Sequence, residues 1–179
     1  IKGLAIHTAS EAGSAPGPDY KFGFGLLNVE KAASVISASV ANNNSASSEH
    51  LMFENVFSAT TTTFWTNVIA SGKGQLRATI SWTDPRGNVE TVNVLNDATP
   101  KLINDLDVRI TTNNGAKIFR PWVLNPLSPS SDPSPGDNVL DNVEVVDVDS
   151  TIPGQSYTVT VSYKNSLQRG AQAYSLLVS

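Results

Sequence analysis

Residues 156–163 read Ser-Tyr-Thr-Val-Thr-Val-Ser-Tyr, and every second side chain is a large apolar one. Successive side chains of an extended chain point to opposite faces, so this octet is a strand with one buried and one solvated side. Working outward, the same period of two returns in residues 75–83. There Leu76, Ala78, Ile80 and Trp82 alternate with Arg77, Thr79 and Ser81. It returns again where Leu106, Val108 and Ile110 alternate with Asp107, Arg109 and Thr111. The pattern predicts strands over roughly 51–58, 63–70, 75–83, 106–112, 116–120, 141–148, 155–163 and 171–178. Asn113-Asn114-Gly115 supplies a hairpin turn between the fourth and fifth, and Pro153-Gly154 marks another. Long loops are expected at 84–105 and 121–140, and the prolines at 121, 126, 129, 133 and 135 keep the second out of any central strand. Eight short antiparallel strands joined this way predict a mainly β fold, a jelly-roll sandwich.

Toward the amino terminus the period changes. Ile1, Leu4, Ala5 and Ile6 read as the end of a buried helix, and Pro16 and Pro18 break it. Asn28 can cap a second helix whose apolar side is Val29, Ala32, Ala33, Val35 and Ile36. Residues 41–49 form a polar linker. The expected division is therefore a helical part at 1–40, a linker at 41–49 and a β-sandwich at 50–179.

Charged residues make up only 16% of the chain, well below the usual quarter, and Ser, Thr, Asn and Val take their place. That balance fits an all-β extracellular module. The net charge of −4, without a Lys/Arg cluster, makes nucleic acid and anionic membrane poor partners. The lack of cysteine excludes disulfides, thiolate zinc sites and a Cys nucleophile. No apolar run approaches the ~18 residues of a membrane span. His7 and His50 are the two histidines, and no Gly-x-Ser-x-Gly elbow or His-Glu-x-x-His motif accompanies them, so neither a Ser triad nor a zinc site is expected.

The first forty residues carry an ordered set of short motifs: His7-Thr8-Ala9, Gly17-Pro18-Asp19, Phe22-Gly23-Phe24-Gly25 and Asn28 through Ala33. This order resembles the end of the catalytic domain of subtilisin-like serine proteases. Further on, Ile80-Ser81-Trp82-Thr83-Asp84-Pro85, Leu102 through Asp107, Pro121-Trp122, Asp141 through Glu144 and Tyr174-Ser175-Leu176 resemble the jelly-roll domain that follows it in secreted bacterial members. The resemblance implies a secreted, bacterial serine endopeptidase of which this chain is the carboxy-terminal part. The sandwich would then stabilise the catalytic domain and border the substrate cleft. Its partners would be that domain and, through it, peptide substrates. The family's Gly-Thr-Ser nucleophile motif does not occur here, so no catalytic residue is carried onto this chain and it is expected to be inactive alone.

Calcium is the metal that the residues favour. Asp105 and Asp107 are two apart on one strand, Asn142 and Glu144 repeat the spacing at another, and Asp84 ends a third. Calcium accepts six to eight oxygens in irregular geometry, which strand-end carboxylates and amides can supply. The plainer reading is that these are solvated strand ends, or that Asn104 and Asn142 satisfy loop backbone groups. The resemblance adds weight to calcium, because related jelly-roll domains bind it, with Asp105, Asp107, Asn142 and Glu144 as the ligand set and Asp84 as a further candidate. Trp82 lies on the apolar side of its strand, whereas Trp122, in a proline-flanked loop, is the tryptophan placed for exposure. A sugar- or protein-binding module and a structural spacer therefore remain the competing readings.

Overall fold

The alternating segments form strands close to their expected bounds, because each has one face that can only be buried against a second layer. The fold is that of a computed structural model, which describes residues 1–46, 48–89 and 94–179. Residue 47 of the expected linker and residues 90–93 of the first long loop lie outside the described residues. The strands are β1 (Leu51–Ser58), β2 (Thr63–Ile69), β3 (Leu76–Trp82), β4 (Leu106–Thr112), β5 (Ile118–Phe119), β6 (Trp122–Val123), β7 (Ser134–Pro135), β8 (Val143–Val148), β9 (Ser156–Tyr163) and β10 (Ala171–Val178). One sheet has the order β1-β10-β3-β8 and the other β2-β9-β4-β5, with every neighbouring pair antiparallel. Successive strands β1 to β4 alternate between the sheets, and β10 returns between β1 and β3. That is jelly-roll order. The proline-rich loop 121–140 stays out of both sheets, as expected. It adds only the two-residue ribbon β6–β7, in which Pro135 faces Trp122.

Between the sheets the alternating residues meet. Leu51, Phe57, Ile80, Trp82, Leu106, Val108, Val159, Val161 and Leu176 are among the buried core. Phe57 stacks on Tyr174 at 4.5 Å and meets Tyr163 of the opposite sheet at 5.5 Å, while Phe53 and Phe64 pair across the layers at 5.1 Å. Such ring pairs add roughly 0.5–1.5 kcal/mol each beyond the area they bury.

The outer face of the first sheet carries α1 (Lys2–His7), which packs on β3 and β10. Gly3 makes the close approach possible, since a Cβ there would lie 2.6 Å from Ser81 Oγ. His7 is fully buried, its ring nitrogens 2.9 Å from Thr79 Oγ1 and 2.8 Å from Ser179 Oγ. The following segment is pinned by the paired backbone bonds of Ser10 and Leu26. The second helix, α2 (Val29–Asn42), starts where the sequence indicates: Asn28 Oδ1 accepts from Lys31 N at 2.8 Å. Its expected apolar stripe is only partly used. Val35 is buried, but Val29 and Ile36 stand exposed, because α2 reaches the rest of the fold along a narrow line one turn apart, at Val35 and Ser39.

Candidate functional site

The carboxylates singled out in the sequence divide into two groups. Asp105, just ahead of β4, and Asp107, within it, come together around Lys164, which follows β9. Lys164 Nζ lies 3.0 Å from Asp105 Oδ2 and 3.3 Å from Asp107 Oδ1. Asp137, from the proline-rich loop, joins them at 3.0 Å. Arg109, on the same face of β4 as Asp107, ties Asp107 and Asp137 at 2.7 and 2.6 Å. Glu144 enters from β8 of the other sheet. It stands opposite the core residue Ile80, so its side chain turns into the sandwich. Its Oε2 accepts from Val108 N at 2.7 Å and lies 3.5 Å from Arg109. One carboxylate thus joins the two layers at their open side.

Four carboxyl groups face two cations here, and the pKa values follow from that crowding. Burial pushes Glu144 up to about 8, the negative charges of Asp107 and Asp105 add to it, and the Val108 N–H and Arg109 oppose it. Burial also raises Asp105, against the pull of Lys164. For Asp137, partial burial is outweighed by Lys164, by a hydrogen bond with Asp107 and by Arg109, so its value falls. Burial works against the Lys164 ammonium, but the surrounding carboxylates more than offset it and hold the value above the usual lysine range. Glu144 Oε1 and Asp105 Oδ1 are buried with no hydrogen-bond partner. These two oxygens are what a bound cation could satisfy. Among the described residues, however, no three His, Cys, Asp or Glu side chains converge as a ready-made metal cage, and Lys164 pairs with the aspartates of the cluster.

The other two candidates are engaged elsewhere. Asp84 accepts from the backbone N–H groups of Ile103 and Asn104 at 2.7 and 2.9 Å, bracing the start of β4. Asn142 Oδ1 accepts from Lys2 Nζ of α1 at 2.6 Å, so it turns to the helix side while Glu144 turns inward. Asn104 satisfies a loop backbone group, accepting from Gln168 N at 2.8 Å, and donates to the Gln172 side chain of β10 at 2.8 Å. Asp137, Arg109 and Lys164 were not singled out from the sequence. No spacing rule links a loop aspartate, a mid-strand arginine and a post-strand lysine that lie far apart in the chain.

His7 and Ser179 make a Ser–His contact, yet it lacks the parts of a nucleophilic site. The third group is the hydroxyl of Thr79 rather than a carboxylate, and the ring is fully buried. Burial, with Arg77 and Lys31 nearby, pulls His7 down to about 3, too weak a base for work near neutrality. Trp82 is buried in the core, as its strand position predicts. Trp122 is half-buried and acts as an anchor. Its Nε1 donates to Asp147 Oδ2 at 2.8 Å, and Gly17 lies so close to the ring that a Cβ there would be 2.9 Å from Cδ2. Trp65, on edge strand β2, is 63% exposed.

Fold and site together define a jelly-roll sandwich with a charged clasp between its layers. No family model and no curated protein matches the sequence. Among solved structures, the chain is similar to a serine protease of Aeromonas sobria at 10% identity and a TM-score of 0.25. That alignment covers 98% of this chain and 39% of the Aeromonas protein, so the chain spans well under half the length of its neighbour. A likeness at this level says nothing about activity. Among the described residues no helix is long and apolar enough to cross a membrane.

Proposed function

We propose that this chain is the non-catalytic carboxy-terminal part of a secreted bacterial subtilisin-like serine endopeptidase. Residues 1–40 complete its catalytic domain, 41–49 link, and the sandwich of 50–179 braces that domain and borders its substrate cleft. The observation that carries the reading is the two-sided character of the first forty residues. On one side α1 is fastened to the sandwich through buried His7. Beyond that attachment, Phe22, Leu26, Leu27, Val29 and Val40 are exposed by 55 to 79%, large apolar side chains that a covering domain would bury. The ordered motifs from His7 to Ala33 lie in this same stretch. The reading frame ahead of the Ile1 codon tests the proposal. A catalytic-domain sequence containing Gly-Thr-Ser supports it, and an unrelated domain there overturns it. The 179-residue chain alone should leave a generic peptide substrate uncut; turnover blocked by a serine-directed inhibitor would contradict the division of labour.

Calcium belongs to the same proposal as a brace. Asp105, Asp107 and Glu144, with Asp137 added, fit a calcium ion in oxygen chemistry, and the two partnerless buried oxygens support it; Asn142, bonded to Lys2, and Asp84, bonded to the backbone of Ile103 and Asn104, take no part in this cluster. Bound calcium would replace the Lys164 ammonium as the counter-charge that holds β4, β8 and the proline-rich loop together. For an extracellular module with a dissociation constant of ~10⁻⁴ to 10⁻³ M, millimolar calcium adds on the order of 1 kcal/mol. Thermal melts in calcium against chelator should differ by a few degrees, as such an increment implies. In Lys164→Met the difference should widen, and melts indifferent to calcium in both proteins would remove the metal from the reading.

A further inference from the structure

The two sheets end in four edge strands, β1 and β8 in the first and β2 and β5 in the second. An edge strand presents a row of unpaired backbone N–H and C=O groups, and proteins blunt such rows against unwanted pairing. Three of the four are blunted here. On β1 the Asn44 side chain engages Met52 O and Met52 N at 2.7 and 2.9 Å, the backbone of Thr61 engages Ser58, and Glu54 lies between them. β5 has only two residues and stands between Lys117 and Arg120. β8 carries Glu144 and Asp147, and Trp122 of the β6–β7 ribbon is bonded to Asp147.

β2 has none of these devices. Its seven residues, Thr-Phe-Trp-Thr-Asn-Val-Ile, hold no charge and no proline, and they pair with β9 without a bulge. Two bonds at its end fix the direction of its backbone. Ala70 N donates to Gln155 O, on the β9 side, and Ile69 N donates outward to Ala46 O of the linker. In an antiparallel strand the N–H and C=O of one residue leave on the same side, and successive residues alternate. Thr63, Trp65 and Asn67 therefore turn their backbone groups away from β9, and no partner for those groups is found among the described residues. The side chains of the same three residues lie on the outer face of the second sheet, where Trp65 is 63% exposed.

We propose that β2 is a self-association edge, pairing antiparallel with β2 of a second copy of this chain so that the second sheet runs on through both molecules. An open row of alternating donors and acceptors is matched by another extended backbone rather than by a small ligand. Ala46 closes the row at Ile69, so the pairing left is centred on Trp65. A two-fold axis there sets Trp65 against its own copy, exchanging both N–H···O bonds, and sets Thr63 against Asn67. The two indoles share one face of the joined sheet, and no like charges meet along the pairing. The edge is separate from both chain ends: Ile1 precedes α1 on the outer face of the first sheet, and Ser179 pairs with Arg77 of β3 within it. The inference does not depend on the protease reading.

Sedimentation velocity of the full 179-residue chain at rising protein concentration is the test. A monomer–dimer equilibrium is expected, and salt should not weaken it, because the paired edge is uncharged. Trp65→Lys should weaken association about tenfold or more, since it removes the central anchor and sets like charges opposite each other. Asn67→Pro should act through the backbone with a similar loss, by removing an outward N–H that β9 does not use. Val56→Ser, at a position 58% exposed on the adjoining edge β1, should leave association unchanged. Circular dichroism should show the strand signature intact in Trp65→Lys and Val56→Ser. A chain that stays monomeric up to its solubility limit overturns the proposal. So does a dimer that persists in Trp65→Lys, or one lost in Val56→Ser, which would place the interface on β1. An open series of larger species would overturn it as well, because a two-fold edge closes at two copies.

Discussion

Two buried ionisable side chains set opposite demands on pH. His7 falls from an ordinary 6.5 to about 3 in the folded chain, so between these values the unfolded state binds more protons and stability is lost as pH falls. Glu144 rises from 4.5 to about 8, so between those values the folded state binds more protons and stability is lost as pH rises. The two trends cancel where the windows overlap, between 4.5 and 6.5. Urea unfolding across pH should give a plateau there, with a fall on each side of at most about 1.4 kcal/mol per pH unit. Glu144→Gln should flatten the alkaline side and leave the acid side in place; an unchanged alkaline fall would mean that Glu144 is not its source. At this scale some roles are local and can be read from the chain. Asn28 caps α2 because its side chain need reach only three residues on. The roles of Asp137 and Lys164 cannot be read this way, because each exists only where distant segments meet.

Among the elements, the strands were the most legible, since a half-buried strand writes its two faces into consecutive residues. β5 is shorter than the sequence predicts, 118–119 against 116–120, because the turn at Asn113–Gly115 spends its neighbours on closing the hairpin. Helix contacts were less legible. The apolar spacing of α2 promised a broad buried stripe, yet among its described side chains only Val35 and Ser39 are buried. The docking of α1 depends on Gly3. Gly3→Val should lift α1 from Ser81 and Leu177 at a cost of about 1–3 kcal/mol, the usual range for overpacking. Limited proteolysis should then cut within residues 1–40 first while the circular dichroism of the sandwich persists. Simultaneous loss of both would show that helix and sandwich fold as one unit. Trp122 illustrates the same limit: its loop position promised exposure, but Asp147 and Gly17, from two other segments, hold it as an anchor.

At the scale of the whole molecule, the main hydrophobic cluster between the sheets is drawn from residues 51–178, while Ala9 and Val35 are buried outside it. A 50–179 fragment should therefore keep its β signature, but it should melt earlier and bind a hydrophobic dye, because Leu177 on the outer face loses the cover of α1. A fragment that fails to fold would show the first forty residues to be part of the folding unit. The amino-acid sequence by itself determined the strand positions, the two turns, the helix start at Asn28 and the sandwich class, because periodicity, turn residues and caps act over a few neighbouring residues. Only the tertiary structure decided that Glu144 faces inward, that Lys164 stands among three aspartates, and that β2 ends its sheet as an open edge. Each of those outcomes depends on which strands become neighbours, and that is set by the packing of two whole sheets rather than by any single segment.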